Sequence, residues 1–138
     1  MCKKERLGNC DPETANQEYC IFHKLDKDEK EAREFYNKFV LKFFGYKLPW
    51  NKGWVFAGPV DARGFVFPEI PRSVGFSFEC TTFKEDVDFS HGIFESGVSF
   101  MESVFIGNAK FENITFKRNA YFPFVKFPGG VSFLLQYF

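Results

Sequence analysis

The sequence predicts a mainly β protein, a parallel β-solenoid preceded by one amphipathic α-helix. Phenylalanine recurs every 11 residues from Phe56 to Phe133, and a second series, offset by five, runs from Phe83 to Phe138. The position two residues before each phenylalanine of the first series is always apolar, and the residue between is predicted to face outward. This in–out–in alternation is typical of strands only about three residues long. Such strands bury their inner face by stacking on equivalent strands of neighbouring repeats, as in a parallel solenoid.

Two other architectures with the same period are disfavoured. An 11-residue period also occurs in right-handed helical coils, but offsets of five and six residues place the two series about 140° and 240° apart around a helix. An antiparallel meander would need turn pairs such as Asn-Gly, which the sequence lacks, and three-residue strands make poor hairpins.

Two sets of repeat positions carry the predicted architecture. The predicted core consists of Phe56, Phe67, Phe78, Phe83, Phe89, Phe94, Phe100, Phe105, Phe111, Phe116, Phe122, Phe127 and Phe133. The predicted corners hold residues that tolerate a left-handed backbone, again every 11 positions. They are Gly64, Gly75, Asp86, Gly97, Asn108, Asn119 and Gly130.

Units such as Val87–His91, Gly92–Ser96 and Ala109–Asn113 resemble the pentapeptide-repeat family. The resemblance implies a right-handed quadrilateral β-helix. One extra residue follows every second unit, which gives a 5+6 pattern, about four coils of 22 residues over 54–138, and a one-residue bulge at every second corner.

A 22-residue coil specifies which rings should stack. One predicted interior column is Phe56, Phe78, Phe100 and Phe122. The opposite column is Phe67, Phe89, Phe111 and Phe133.

The segment 1–25 contains a candidate metal-binding set, Cys2, Cys10, Cys20 and His23. Three thiolates and one imidazole are a common ligand set for structural zinc, and a C-x2-H pair can reach one ion from a single tight turn. The first two cysteines lack the close C-x2-C spacing of a zinc knuckle. The alternative is therefore a set of buried or reactive cysteines beside a solvated His23.

Residues 26–45 are predicted to form an amphipathic helix that caps the solenoid. Asp26 or Asp28 can begin it in a capping box, and Gly45 is expected just after its end. Its apolar stripe at i, i+4 spacing is formed by Phe35, Phe39 and Phe43. Residues 46–53 are predicted to be an irregular linker, because Pro49 and Gly53 disfavour regular structure.

The composition limits the classes of function. Lys+Arg and Asp+Glu balance at 18 each, so no global charge favours nucleic acid or an anionic membrane. No apolar run approaches the ~18 residues that span a bilayer, and the amino terminus lacks the apolar core of a secretory signal. We therefore expect a cytoplasmic protein with no nucleic-acid partner and no membrane span.

The sequence favours a non-catalytic role. No Ser-His-Asp set, phosphate loop or paired-carboxylate cleft is present, and a phenylalanine-filled solenoid leaves no cavity, so we do not expect an enzyme. We expect a structural or protein-interaction scaffold whose protein partner is unknown. One alternative, implied by the resemblance, is a DNA-mimic inhibitor of a type II topoisomerase, although such mimics need an extended acidic surface. Another is the soluble part of a longer, membrane-anchored protein.

The last repeat carries a predicted contact patch. Its outward-facing apolar residues are Tyr121, Phe124, Leu134, Leu135 and Tyr137. Solenoids normally need a polar terminal cap, and the repeat runs to Phe138 without one. An end-to-end homo-oligomer through this coil is therefore one expectation.

Overall fold

The computed structural model describes residues 1–49, 53–69 and 77–135. This part of the chain is mainly β, with one α-helix, α1 (Glu29–Lys42), and a short 3-10 helix (Glu5–Leu7). The strands are β1 (Gly45–Lys47), β2 (Trp54–Phe56), β3 (Val60–Asp61), β4 (Val66–Phe67), β5 (Thr82–Phe83), β6 (Val87–Asp88), β7 (Ile93–Phe94), β8 (Val98–Ser99), β9 (Val104–Phe105), β10 (Ala109–Phe116), β11 (Ala120–Tyr121) and β12 (Val131–Leu135). None of the helices in the described ranges combines the length and apolar character that a bilayer crossing requires.

The strands form curled, largely parallel sheets. One sheet has the order β1-β2-β5-β9, a second has β3-β6-β10-β7-β4 with β12 also on β10, and β8 pairs with β11. Among the described strands only the β1–β2 pair is antiparallel. Strand β10 pairs with β6 at its start and with β7 at its end, so it continues from one part of the curled sheet to the next.

The spacing of paired residues follows the period of the sequence after the first strands. Val87 pairs with Ala109, and Ala109 pairs with Val131, so each step equals one predicted coil. Val60, however, pairs with Val87, which lies five residues further along the chain than one coil would place its partner. The other early pairs, β2–β5 and β4–β7, have the same longer offset. The five extra residues fall between the end of β4 and the start of β5.

This offset corrects the predicted ring columns at their amino-terminal end. Phe56 stacks on Phe83, with centroids 5.2 Å apart and planes 11° apart, rather than on Phe78. Phe67 likewise stacks on Phe94 at 4.3 Å and 7°, rather than on Phe89. The predicted order holds from Phe78 onward: Phe78 stacks on Phe100, and Phe100 stacks on Phe122.

Burial of the predicted core rings decreases toward the last strands. Nine are at most 2% exposed: Phe56, Phe67, Phe78, Phe83, Phe89, Phe94, Phe100, Phe105 and Phe111. Phe116, Phe122 and Phe127 are partly buried. Phe133 is 45% exposed, so it is not a core residue in this structure, because no described strand lies beyond β12.

The left-handed backbone lies at only two of the predicted corners. Of these, only Gly64 and Gly130 have positive φ; Asp86, Gly97, Asn108 and Asn119 do not, and Gly75 lies outside the described residues. The positive-φ positions instead include Cys80, His91, Glu102, Asn113 and Phe124. Each comes two residues after a first-series phenylalanine. At one of them the Gly92 N–H donates to the Phe89 carbonyl at 3.0 Å, with His91 as the third residue, as in a type II turn.

Helix α1 covers the amino-terminal end of the ring stack. Asp28 caps it, and a capping box with Glu31 fixes its start. Phe39 is fully buried and meets Phe56 and Phe67 edge-on, at 5.4 and 5.6 Å. The helix thereby supplies apolar cover that a preceding coil would otherwise provide.

The chain after α1 is more regular than predicted. Phe44, not Gly45, has the left-handed backbone after the helix, with φ of 54°. Gly45 begins β1, which pairs antiparallel with β2 and extends its sheet. The prediction of an irregular linker over 46–53 is therefore wrong for its first residues, because β2 offers a free edge. Residues 50–52 lie outside the described ranges.

Candidate metal centre

The structure brings Cys2, Cys10, Cys20 and His23 together. Their ligand atoms lie within 4.8 Å of one another. His23 Nδ1 is 3.6 Å from the sulfur of Cys2, 3.7 Å from that of Cys10 and 3.0 Å from that of Cys20. A tetrahedral zinc site, with bonds of about 2.3 Å to sulfur and 2.05 Å to nitrogen, separates these atoms by about 3.6 Å. Two distances match and the third is shorter, so the four residues can hold a metal ion.

A tight turn supplies two of the four ligands. The backbone N–H groups of His23 and Lys24 both donate to the Cys20 carbonyl, at 3.0 and 3.1 Å. This turn directs the Cys20 sulfur and the His23 ring toward the same point. Cys2 joins them because its N–H donates to the Ala15 carbonyl at 2.7 Å, which fixes the amino terminus beside the turn.

The Cys2 sulfur is surrounded by hydrogen-bond donors. It accepts from the backbone N–H of Cys20 at 3.3 Å and from that of Lys4 at 3.4 Å. Burial opposes ionisation of this thiol, but these hydrogen bonds, together with those from the side chains of Cys10 and Cys20, outweigh burial and lower its pKa. N–H donors around a sulfur also stabilise a thiolate bound to a metal.

Cys10, Cys20 and His23 are uncharged at neutral pH in the metal-free chain. Burial raises the pKa of the Cys10 thiol to about 12 and also raises the pKa of the Cys20 thiol. Burial lowers the pKa of His23 to about 4, so its imidazole is uncharged at neutral pH. A cation must therefore displace protons from these two thiols but not from the histidine.

Asp61, at the end of β3, and Arg63, two residues later, hold the loop that carries Cys10. The Arg63 guanidinium makes two 2.8 Å contacts with the Asp61 carboxylate and donates to the Leu7 carbonyl at 2.7 Å. Asn9, 2% exposed, donates from Nδ2 to the Arg63 carbonyl at 3.0 Å. The metal-binding loop is thereby attached to β3, and the sequence pattern held no signal for these contacts.

A buried ion pair attaches the same loop to the helix. Lys38 Nζ lies 2.7 Å from Asp11 Oδ2, and the two side chains are only 17% and 8% exposed. Burial alone would raise the pKa of Asp11, but hydrogen bonds from Lys38 and Thr14 hold it below its ordinary value. The ionised pair therefore contributes stability above that ordinary pKa.

We predict that Asp11→Asn lowers the free energy of unfolding by roughly 1–3 kcal/mol at neutral pH, because it removes the carboxylate 2.7 Å from a largely buried ammonium, which then keeps only the more distant Glu34, at 3.5 Å, and Glu13. In the native chain this contribution is lost as pH falls through the lowered pKa of Asp11. Urea denaturation at pH 7 and at pH 3 measures both effects. Glu13→Gln is the control: its carboxylate is 3.8 Å from the same ammonium but 82% exposed, so a change under about 1 kcal/mol is expected. Equal losses in both variants would contradict the prediction.

The metal-binding turn lies directly above the first strands. The Val66 N–H donates to the Phe22 carbonyl at 2.8 Å, just as the Ile93 N–H, on the strand next to β4, donates to the Phe65 carbonyl at 2.9 Å. The Phe22 ring stacks on Phe65 with centroids 4.4 Å apart and planes 7° apart. The Cys20–His23 turn thus lies beside β4, in the position that one more strand of the same sheet would occupy.

The fourth cysteine is separate from this cluster. The Cys80 sulfur is partly exposed, lies 3.9 Å from Glu102 Oε2, and does not belong to the metal-ligand group. Of the predicted contact patch, Tyr121, Phe124 and Leu134 are exposed. The side chain of Leu135 and all of Tyr137 lie outside the described part of the chain.

Comparison with protein-family models, curated proteins and solved structures finds no match for this chain.

Proposed function

We propose that this chain is a non-catalytic scaffold: a right-handed, four-sided β-helix of the pentapeptide-repeat type, closed at its amino-terminal end by α1 and a zinc-bound Cys/His cap. The 22-residue spacing of the parallel pairs supports a repeating coil. Near-parallel stacking of Phe83, Phe105 and Phe127, at 4.6 and 5.1 Å, supports an interior filled by rings. Such an interior leaves the outer faces as the surfaces for partners.

The single observation that carries the proposal is the position of the metal-binding turn. Two ligands come from a turn that continues both the backbone ladder and the ring stack above Phe65 and Val66. A metal that ties this turn to Cys2 and Cys10 would hold the cap on the end of the stack. That role is structural, because four protein ligands leave no open coordination position for a substrate.

The charged surface groove also supports a non-catalytic role. A groove of about 390 Å³ is lined by Asp61, Arg63, Asp88 and Lys110, among others. Asp61 is held by Arg63, and Asp88 Oδ1 accepts from the Ser90 N–H at 2.9 Å. Because these carboxylates already serve local structure, they are poor candidates for a general acid and base.

Zinc is the metal that the ligand set favours. Three thiolates and an imidazole at tetrahedral spacing suit zinc, whereas magnesium and calcium prefer oxygen ligands. The protein purified under reducing conditions is expected to contain about one equivalent of zinc per chain by elemental analysis. Cys20→Ser should lose it, whereas Cys80→Ser should retain it because Cys80 lies outside the cluster.

Less than about 0.2 equivalents of zinc in the native chain would reject the zinc site. Iron or copper in its place would retain the metal-bound cap but reject zinc as its metal. Loss of zinc from Cys80→Ser would show that the bound metal is not in the cluster.

A further inference from the structure

The three cysteine sulfurs of the metal-ligand cluster differ in their access to solvent. Cys2 and Cys20 are 1% and 0% exposed, whereas Cys10 is partly exposed. A small oxidant in solution can therefore reach the sulfur of Cys10 more easily than the other two. The thiolate is both the form that binds a metal and the form that attacks an oxidant. Cys10 is thus the point at which oxidation of the cluster would begin.

Cys2 is the cysteine best placed to form a disulfide with Cys10. The Cys10 thiol donates a hydrogen bond to the Cys2 sulfur, and the ligand atoms of the cluster all lie within 4.8 Å of one another. The backbone N–H groups of Lys4 and Cys20 also donate to the Cys2 sulfur and hold it in this position. Of the three sulfurs, that of Cys20 lies closest to Nδ1 of His23, at 3.0 Å. The geometry therefore pairs Cys10 with Cys2 and leaves Cys20 beside the histidine.

We propose that Cys2 and Cys10 form a redox-sensitive pair, which a hydroperoxide oxidises to a disulfide with release of zinc from the cap. The inference rests on the proposed zinc-bound cap and concerns its regulation. Zinc binds cysteine as the thiolate, and a disulfide leaves no thiolate at either residue. Cys20 and His23 would remain, and two ligands are too few for a structural zinc site.

The chemistry balances with hydrogen peroxide as the oxidant. The Cys10 thiolate attacks a peroxide oxygen, so that an S–O bond forms, the O–O bond breaks and hydroxide leaves. The Cys10 sulfur, now a sulfenic acid, has lost two electrons to the peroxide. The Cys2 thiolate then attacks that sulfur, so that the S–S bond forms, the S–O bond breaks and a second hydroxide leaves. Each hydroxide takes a proton from the solvent and becomes water.

Release of the metal would loosen the cap without detaching it. The Cys20–His23 turn would lose its link through zinc to Cys2 and Cys10. It would keep contacts that do not involve the metal, such as the hydrogen bond from the Val66 N–H to the Phe22 carbonyl and the stacking of Phe22 on Phe65. A thiol reductant reverses both a sulfenic acid and a disulfide, so the change would be reversible.

Peroxide treatment of the zinc-loaded Cys80→Ser variant tests the proposal. Cys80 lies outside the cluster, so this variant leaves only the three cluster cysteines. We expect about one equivalent of zinc per chain to pass to a chromogenic chelator as the disulfide forms. A thiol reductant with added zinc should restore the bound metal. The native chain is the control and should release the same amount, because Cys80 takes no part.

Peptide mapping identifies the disulfide. After the free thiols are alkylated, a glutamate-specific protease separates the three cluster cysteines onto different peptides, because it cuts after Glu5, Glu13 and Glu18. Mass spectrometry should find the peptide of Cys2 joined to that of Cys10. A bond from Cys10 to Cys20 would overturn the assignment of Cys2.

Cys10→His tests the role of the exposed sulfur. Two thiolates and two imidazoles also form structural zinc sites, and the thiols that remain in the cluster, Cys2 and Cys20, are buried. We expect this variant to bind zinc and to lose it at least tenfold more slowly in peroxide than the chain with Cys10. Equally rapid loss would overturn the role of Cys10 as the site of attack.

The zinc content before oxidation separates this proposal from the zinc cap itself. A chain that holds zinc and keeps it in peroxide, with no bond between Cys2 and Cys10, would overturn the redox pair and leave the cap intact. A chain that contains no zinc before peroxide is added would reject both the cap and the release of its metal.

Discussion

Removing the metal from the Cys/His cluster is expected to lower the free energy of unfolding by about 4 kcal/mol, if free zinc beforehand was about 1,000 times its dissociation constant. Zinc can bind all four ligands only when Cys2, Cys10 and the Cys20–His23 turn are folded together. Its binding free energy therefore becomes folding free energy. This is one of the two largest effects that we expect.

Urea denaturation with and without a zinc chelator measures this effect. Hydrogen exchange locates it, because the Val66 amide, bonded to the Phe22 carbonyl, should lose protection together with the cap. Cys20→Ser should reproduce the effect of chelation without chelator. Cys80→Ser provides a cysteine control outside the cluster and should respond to the chelator as the native chain does. Unchanged stability after complete metal removal would contradict a structural role.

The stability of the fold should decrease as pH falls, both with metal bound to the cluster and without it. With metal bound, protons compete for the thiols, so acid weakens binding and lowers stability. In the metal-free chain, the pKa of His23 is about 4 when folded, below its ordinary value of 6.5. The unfolded chain then binds the proton first, so stability falls as pH drops from about 6.5 to about 4.

Phe100→Ala is the second large expected effect, a loss of about 3–5 kcal/mol in the free energy of unfolding. Phe100 is fully buried and stacks between Phe78 and Phe122, at 5.0 and 5.2 Å. Removing the ring would leave a cavity between rings that cannot close, because the backbone ladders fix the spacing of the strands. Such a loss is a large part of the roughly 5–15 kcal/mol stability of a typical domain.

Two alanine variants calibrate that measurement in denaturant titrations. Phe122→Ala lies in the same column but is only partly buried, so it should cost less than Phe100→Ala. Phe44→Ala removes a ring that is 71% exposed and should change stability by no more than about 0.5 kcal/mol. Equal losses at Phe100 and Phe44 would show that ring stacking does not dominate stability.

Ligand chemistry and periodicity were readable from the sequence. Thiol and imidazole side chains identified all four members of the cluster, because few residue types bind soft metals. The 11-residue period predicted the pairing of Val87 with Ala109 and of Ala109 with Val131, one coil apart in each case. Both features depend on side-chain identity, which a sequence states directly.

The pairing register of the first strands could not be predicted from the sequence in the same way. Phe56 and Phe67 keep the 11-residue period, yet each pairs with a phenylalanine five residues beyond the one that a single coil would select. Five additional residues before β5 shift the pairing without changing the aromatic pattern. The number of residues between β4 and β5, rather than the position of the rings, therefore sets which strands meet.

The turns show the limit of residue preference. Glycine and asparagine favour a left-handed backbone, and Gly64, Asn113 and Gly130 adopt it, but so do Cys80, His91, Glu102 and Phe124. The stacked strands fix where each turn must fall, and the local preference yields to the tertiary arrangement. Sequence preference alone therefore predicted Gly64 and Gly130 correctly and misplaced the other described corners.

These turn positions are spaced regularly along the stack of strands. Cys80, Glu102 and Phe124 follow one another at 22-residue intervals, as do His91 and Asn113. Neighbouring strands lie about 4.8 Å apart. Probes attached at such positions would therefore form a row with that spacing. Because the same backbone already accepts a thiol, a carboxylate and an aromatic ring, these edges can be relabelled without redesigning the interior.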